Sequence, residues 1–247
     1  KEKMIGLGII SYRANSEGIR WVKSLGLNNV EFCLNGDEIY SLDAEDVINA
    51  CKETGVKVAS VGRWGRFRIN SDGSINEKEQ NDEFLLIDFC RKVGCPVYVT
   101  GCNYVDGLSY YSNVTATINY FKSLMDYAGD DVKICTYNCN WNAYTNKPHE
   151  WDIIHDHLPK LGIKFDPSHT VIGGRNWQDE AVKYGKKFYH MHVKGTVDIG
   201  GGRFDDPPAG LDEIKWEEKP LICSLGICTV SLAVWSAIPT ASESAAG

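Results

Sequence analysis

The sequence is poor in the features that mark several protein classes. It holds no block of lysine or arginine, and its formal net charge is −7, from 26 Lys plus Arg against 33 Asp plus Glu. Proteins that bind nucleic acids usually present a basic face, so this balance predicts no nucleic-acid partner. The sequence contains no run of about 18 apolar residues, the length needed to span a membrane, which predicts no membrane partner. We also expect no signal peptide ahead of the first predicted strand.

Closely spaced cysteine pairs of the metal-binding type are missing as well. The nine cysteines include no C-x-x-C spacing, and their number is odd. Most of them lie inside apolar segments, so we interpret them as reduced, mostly buried thiols rather than as a disulfide framework. Together with the acidic composition, this predicts a cytoplasmic protein.

What the sequence does contain is a regular alternation of apolar strand-like segments and amphipathic helices. Seven strands are predicted, at residues 4–10, 30–34, 56–61, 96–100, 132–137, 163–166 and 188–194. Helices are predicted from Ser16, which we take as a cap, and at residues 43–54, 77–93, 113–127, 151–158 and 180–184. Such alternation indicates a parallel sheet with helical crossovers.

We predict that this sheet is an α/β, TIM-type (β/α)8 barrel rather than a doubly wound sheet. No glycine-rich phosphate turn follows the first strand, and polar residues gather at the C-terminal ends of the strands, where barrel enzymes keep their sites. The length of 247 residues fits one barrel, so residues 1–247 are predicted to form a single domain. The eighth βα unit is atypical or incomplete. Residues 221–238 have room for a strand without a clear following helix, and residues 217–247 form an atypical C-terminal segment.

The most informative stretch for function is KFDPSHTVIGG, at residues 164–174. Asp166 ends an apolar strand, and His169 follows three residues later. A carboxylate and an imidazole that leave the same strand end are able to reach one metal ion or its substrate at the barrel mouth. The alternative is that Asp166 caps the next turn and His169 is a polar surface residue. Spacing alone does not separate the two interpretations.

The second stretch is FYHMHVKG, at residues 188–195. Because strand side chains alternate, His190, His192 and Lys194 are predicted to share the inner face, while Tyr189, Met191 and Val193 face the helices. Burying two imidazoles and an ammonium without polar partners is costly. This favours a ligand role for at least one histidine, while the other is a hydrogen-bonded structural residue.

Two further positions carry weaker indications. Glu31 lies in the apolar strand VEFCL, where a carboxylate is usually functional or paired. Arg203 lies in GGGRFDDPPAG, which is predicted to be an irregular loop after the seventh strand. Its guanidinium is suited to a sugar oxygen or a phosphate at the barrel mouth.

Taken together, these motifs resemble the sugar phosphate isomerase/epimerase superfamily, the xylose-isomerase-like TIM barrels. The resemblance covers roughly residues 4–216 and is carried by VEF at Glu31, GIKFDPSH at Asp166, HMHVKG at His192 and DDPPAGLDEIKW at residues 205–216. It implies a divalent metal at the barrel mouth, with Mn²⁺ preferred and Mg²⁺, Co²⁺ or Zn²⁺ as alternatives.

The resemblance also implies a set of site residues. Asp166 and His192 match metal ligands, and Asn138 stands where the family has a glutamate ligand at the end of the fifth strand; His190 is a further candidate ligand. His169, Lys194 and Arg203 match substrate-binding positions, and Glu31 and His169 are the catalytic candidates. The glutamate expected on the eighth strand is absent. The expected partner is a small sugar or sugar phosphate, and a homo-oligomer is compatible with the family.

The function that follows is a metal-dependent isomerase or epimerase of a sugar or related ketose, acting through an enediolate. A second interpretation is a barrel that binds sugar or metal but catalyses poorly or not at all, because two carboxylate ligands are missing. A third is an endonuclease-type barrel. The acidic balance and only six histidines argue against that third interpretation.

Overall fold

A closed barrel of parallel strands forms the centre of the protein. The computed structural model describes residues 6–139, 142–207, 210–214, 216 and 229–232. The strands of the described residues are β1 (Gly6–Ser11), β2 (Asn29–Cys33), β3 (Lys57–Gly62), β4 (Val97–Thr100), β5 (Lys133–Tyr137), β6 (Gly162–Phe165), β7 (Phe188–Val193), β8 (Val197–Gly200), β9 (Arg203–Asp205) and β10 (Thr229–Leu232). Eight of them close the barrel, in the order β1-β2-β3-β4-β5-β6-β7-β10, so the predicted TIM-type fold is confirmed.

The eighth barrel strand, β10, lies inside the segment predicted to hold it. Thr229 pairs with Gly6 of β1 on one side and with His190 of β7 on the other. The rest of residues 217–247 falls outside the described residues. The single domain over residues 1–247 and the atypical C-terminal segment therefore stay predictions.

Between the strands lie helices whose ends follow ordinary capping chemistry. Asp43 accepts two backbone N–H groups at the start of α2, and Gly55 ends that helix with a left-handed φ of 75°. Among the described residues no helix is both long and apolar enough to cross a membrane. The helices are α1 (Ser16–Ser24), α2 (Ala44–Thr54), α3 (Glu77–Val93), α4 (Tyr110–Ala128), α5 (Pro148–His157), α6 (Pro167–Ile172) and α7 (Trp177–Tyr184), with short 3₁₀ helices at Asp37–Ser41 and Gly185–Lys187.

Three local predictions need correction. Asn15, not Ser16, caps α1, because its side chain accepts the N–H of Gly18. Helix α6 follows directly on Asp166 and was not predicted. The antiparallel hairpin β8–β9, in which Val197 pairs with Asp205, extends into residues 200–210, which were predicted to be an irregular loop.

The face assignment of β7 also changes at one residue. Between β6 and β7 the register shifts, so that Ile163 pairs with Phe188 but Lys164 pairs with His190. A β-bulge of this kind turns one extra side chain to the same face. Tyr189 consequently packs against the apolar cluster that includes Cys135, on the inner side, and not toward the helices as the alternation predicted. All described cysteines except Cys51 are buried, as expected.

A network of buried ion pairs, the α3 cluster, fixes the loop after β3 to helix α3. Arg63 and Arg68 are 1% and 0% exposed. Arg63 contacts Glu79 at 2.9 Å and Asp82 at 3.0 Å, and Arg68 contacts Glu83 at 2.9 Å. This loop carries residues that wall the barrel mouth, so the cluster holds that wall in place. The members of the α3 cluster are Arg63, Arg66, Arg68, Glu79, Asp82 and Glu83.

Candidate active site at the barrel mouth

Charged and imidazole side chains converge inside the barrel at the C-terminal ends of its strands. They come from β2, β6, β7 and the start of α6, and each is buried. The strands are parallel, so residues far apart in sequence meet at this end of the barrel. The members of this mouth cluster are Glu31, Lys164, Asp166, His169, His190 and His192.

Glu31 contacts both histidines of β7 through one carboxylate oxygen. Its Oε2 is 2.6 Å from Nε2 of His190 and 2.8 Å from Nε2 of His192. Burial by itself raises the pKa of the Glu31 carboxyl, but His192 and His190 outweigh burial and hold that pKa well below its usual value. Glu31 is fully buried, which does not suit the direct catalytic role predicted for it. Its contacts with His190 and His192 favour a role in positioning these rings, and its catalytic role stays a prediction.

Asp166 uses its two carboxylate oxygens differently. Oδ1 accepts the N–H and the hydroxyl of Ser168 and so caps α6, as one of the two interpretations of the sequence required. Oδ2 faces the mouth cluster, 3.7 Å from Nδ1 of His192 and 3.6 Å from Nζ of Lys164. Burial raises the pKa of Asp166, but Lys164 and His169 more than offset it, so the pKa lies well below its usual value.

His169 belongs to the site and not to the surface. Its side chain is buried, with Nε2 3.8 Å from Oδ2 of Asp166. Burial lowers the pKa of His169 to about 4, although Asp166 raises it. At this pKa the imidazole is neutral near pH 7.

Two of the predicted metal ligands, Asn138 and His190, direct their polar atoms to groups other than the Asp166 carboxylate. The Asn138 carbonyl accepts the N–H of Asp166 at 2.8 Å, and its amide donates to the Asp166 carbonyl at 2.8 Å, so the side chain is engaged by backbone. His190 directs Nε2 to Glu31 and to the Ser60 hydroxyl, at 2.6 and 3.3 Å. These contacts do not favour Asn138 and His190 as ligands of a metal at Asp166, but His190 shares with Glu31 and His192 a set of donor atoms able to hold a metal ion, and both ligand roles stay predictions.

The two basic residues predicted to bind substrate differ in position. Lys194 is buried, and its ammonium contacts Asp206 at 3.0 Å; its charge also acts on Asp166. Arg203 is exposed on β9 and does not join the mouth cluster. The structure brings Lys194, but not Arg203, to the site.

A pocket of about 230 Å³ opens onto the mouth cluster. Trp64 forms one wall, with its ring 6.5 Å from that of His192 and stacked at 6.0 Å on Tyr137. The lining residues are Ile10, Tyr12, Cys33, Asn35, Trp64, Gly65, Cys139, Asp166 and His192. Its apolar walls, with polar groups from Tyr12, Asn35, Asp166 and His192, fit a small polar ligand, since binding sites combine apolar surface with few placed polar groups.

Sequence reasoning missed Lys164 and Cys139. The Lys164 ammonium is fully buried, 3.6 Å from Sγ of Cys139. Burial lowers the pKa of Lys164, but Cys139 and Asp166 raise it above its usual value, so it stays charged. Its place in the apolar segment IKFD, alternating with Ile163 and Phe165, was the available sign that it points into the barrel.

The donor atoms present fit a divalent cation in part. The described residues include two groups with suitable donor atoms, Glu31 with His190 and His192, and Cys139 with Asp166 and His169. If His192 donates from Nε2 to ionised Glu31, its Nδ1 carries a lone pair. That lone pair faces ionised Asp166 at 3.7 Å, and ligands of one divalent cation stand roughly 3–4 Å apart.

The arrangement is that of a carboxylate–histidine–metal site, in which a carboxylate orients a ligating imidazole. Here Glu31 would orient His192, and His192 with Asp166 would hold the cation. The model of the xylose isomerase-like TIM barrel family matches residues 19–218 of this chain. The chain belongs to this family.

Solved structures share the family's fold at low sequence identity. D-psicose 3-epimerase from Clostridium cellulolyticum, crystallised with D-tagatose, has a TM-score of 0.72 at 14% identity, covering 93% of this chain and 84% of its own. The probable 3-DHS dehydratase AsbF from Bacillus anthracis has 0.72 at 14%, covering 93% and 92%. A xylose isomerase-like TIM barrel protein from Mycobacterium smegmatis, in complex with magnesium, has 0.65 at 15%, covering 88% and 80%. No curated protein matches the sequence.

Proposed function

We propose that this protein is a metal-dependent isomerase or epimerase of a sugar or related ketose. The observation that carries the proposal is the alignment of His192 between two carboxylates, Glu31 at 2.8 Å and Asp166 at 3.7 Å, at the edge of a small pocket. Fold relatives that are sugar epimerases support the class of reaction. A cytoplasmic location and a homo-oligomer remain parts of this proposal.

In this proposal each residue has a separate task. Asp166 and His192 hold the cation, and Glu31 keeps the His192 ring oriented. When bound, a divalent cation polarises the carbonyl and hydroxyl oxygens of a ketose and stabilises the charge of an enediolate. His169, neutral at pH 7, takes the proton from the carbon beside the carbonyl and returns it. Lys194 donates hydrogen bonds to substrate oxygens.

One alternative has its own support in the structure. Asn138 supplies no negative charge to a metal ion. The ammonium of Lys164 lies 3.6 Å from Asp166, where its positive charge repels a metal cation. Both features weaken metal binding. A barrel that binds sugar but does not catalyse is the second candidate function.

The test combines metal binding with proton exchange. Metal-stripped protein is titrated with Mn²⁺ by calorimetry, and D-fructose, D-psicose and D-tagatose are then followed by NMR in D₂O. We expect saturable 1:1 binding and deuterium incorporation beside the carbonyl, both lost in Asp166→Asn. Asp130→Asn is the control, because Asp130 lies between α4 and β5, where its exposed carboxylate pairs with the exposed Lys160. Binding without exchange supports the second candidate, and absence of saturable binding overturns the metal-dependent proposal.

A further inference from the structure

A second groove lies beside the barrel mouth, between the segments that follow β4 and β5. Its volume is about 450 Å³. Tyrosine rings, two carboxamides, one carboxylate and one lysine line it. We call it the tyrosine groove, and it is formed by Tyr104, Tyr110, Asn142, Tyr144, Asn146 and Glu150, together with Ala143 and Lys147.

The groove contains a buried carboxylate, that of Glu150, which lacks a hydrogen-bond donor for one of its oxygens. Glu150 is only 5% exposed, and its Oε2 is buried without a hydrogen-bond partner in the described part of the chain. The other oxygen lies 3.8 Å from the ammonium of Lys147, beyond hydrogen-bond distance. A buried carboxylate oxygen without a donor is costly, so this geometry is suited to a ligand that brings an O–H or N–H group.

The tyrosine rings are fixed in place before any ligand arrives. Tyr144 donates from its hydroxyl to Thr117 at 2.8 Å, and its ring meets Tyr104 edge-on at 5.3 Å. Tyr110 stacks on His149 at 5.9 Å. Preset aromatic faces beside hydrogen-bonding groups match a pyranose, which has an apolar C–H face and a rim of hydroxyls.

The groove shares a wall with the mouth pocket. Asn142 lines the groove and donates its side-chain N–H to the carbonyl of Gly65 at 3.1 Å, and Gly65 lines the mouth pocket. Asn142 has a φ of 44°, the one left-handed value of a non-glycine residue in the described ranges. Such conformations persist where the surroundings enforce them, often at binding sites.

We propose that the tyrosine groove binds a second pyranose unit of the substrate. The unit next to it, a ketose, occupies the mouth pocket, so the substrate class is a ketose that carries a glycosidic pyranose. Glu150 accepts hydroxyl hydrogen bonds from the distal ring, and the tyrosines pack on its apolar face. This inference rests on the proposed function, which places the reacting ketose in the mouth pocket.

The test compares sugars of one and two units. Binding of D-fructose, lactulose, maltulose and turanose is measured by calorimetry with Mn²⁺ present, on wild type and Glu150→Gln. We expect at least one disaccharide to bind about tenfold more tightly than D-fructose, and Glu150→Gln to lower that affinity about tenfold. Tyr104→Ala is a second variant, expected to act in the same direction.

The matched control is Glu77→Gln, because Glu77 stands in the first turn of α3 as Glu150 does in α5 but is exposed. The inference is overturned if no disaccharide binds more tightly than D-fructose, or if Glu150→Gln and Glu77→Gln act alike. The proposed function fails separately, when no sugar of either size exchanges deuterium. A disaccharide that binds in the groove without exchange leaves this inference standing.

Discussion

The α3 cluster and the mouth cluster are both buried groups of charges, but they are built in opposite ways. In the α3 cluster, Arg63 and Arg68 meet carboxylates at 2.9–3.0 Å. In the mouth cluster, Oδ2 of Asp166 lies 3.6–3.8 Å from Lys164, His169 and His192. Oε2 of Glu31 contacts both histidines of β7, but its Oε1 is buried without a hydrogen-bond partner among the described residues.

The difference separates charges that stabilise the fold from charges available for chemistry. Close ion pairs largely neutralise one another's charges, whereas acceptors held apart are positioned to receive a cation or a proton. The α3 cluster also supports the mouth cluster, because the loop after β3 that it fixes carries Trp64 and Gly65, which line the mouth pocket.

The largest effect is expected in the α3 cluster, where an arginine–carboxylate pair is fully buried. Arg68→Met leaves Glu83 without its 2.9 Å partner inside the protein. Breaking a buried pair in this way is expected to lower the free energy of unfolding by about 3–5 kcal/mol. Urea denaturation followed by circular dichroism measures it, with Lys122→Met, which removes an exposed pair, as control. A loss no larger than that of the control would mean that the α3 cluster does not stabilise the fold.

A smaller effect, on binding rather than on folding, is expected at Glu31. Glu31→Gln removes the anion that accepts N–H groups from His190 and His192. Loss of an orienting carboxylate typically costs tenfold to hundredfold in metal affinity, so Mn²⁺ binding should weaken by about that factor. Calorimetric titration measures the change. An unaltered Mn²⁺ affinity would contradict the positioning role.

The smallest effect is expected at Lys164, and its sign is opposite. Lys164→Met removes an ammonium 3.6 Å from Asp166, and Mn²⁺ affinity should rise by about tenfold because a competing positive charge is gone. Lys133→Met, at an exposed position of β5, is the matched control. Equal Mn²⁺ affinities for the two variants would show that the ammonium does not oppose the cation.

Much of the fold followed from the sequence because its signals are local. Apolar strands alternate with capped helices, and α3 was predicted with its observed ends. The candidate site residues could be proposed from the sequence for the same reason. Asp166, His169 and His192 stand at or near strand ends, and parallel strands bring such ends together.

The errors arose where tertiary structure overrode the local pattern. Tyr189 was placed outside because a bulge cannot be deduced from alternation. The hydrogen bonds of the Asn138 side chain to the backbone of Asp166 also depend on tertiary structure, and its role as a metal ligand stays a prediction. The α3 cluster was missed because RWGRFR has the composition of a surface loop. The acidic residues Glu79, Asp82 and Glu83, spaced along one helical face, were the only sign of its partners.

The closing strand has a consequence for how the chain reaches its native state. Gly6 pairs with Thr229, so the seam joins the two ends of the described chain. Contacts between residues this far apart are formed late and slowly, because the intervening chain must first be ordered. Strands β1 to β7 are therefore expected to assemble as an open, curved sheet. Until β10 arrives, that intermediate would expose the backbone edges of β1 and β7, and it would be the state most prone to aggregation.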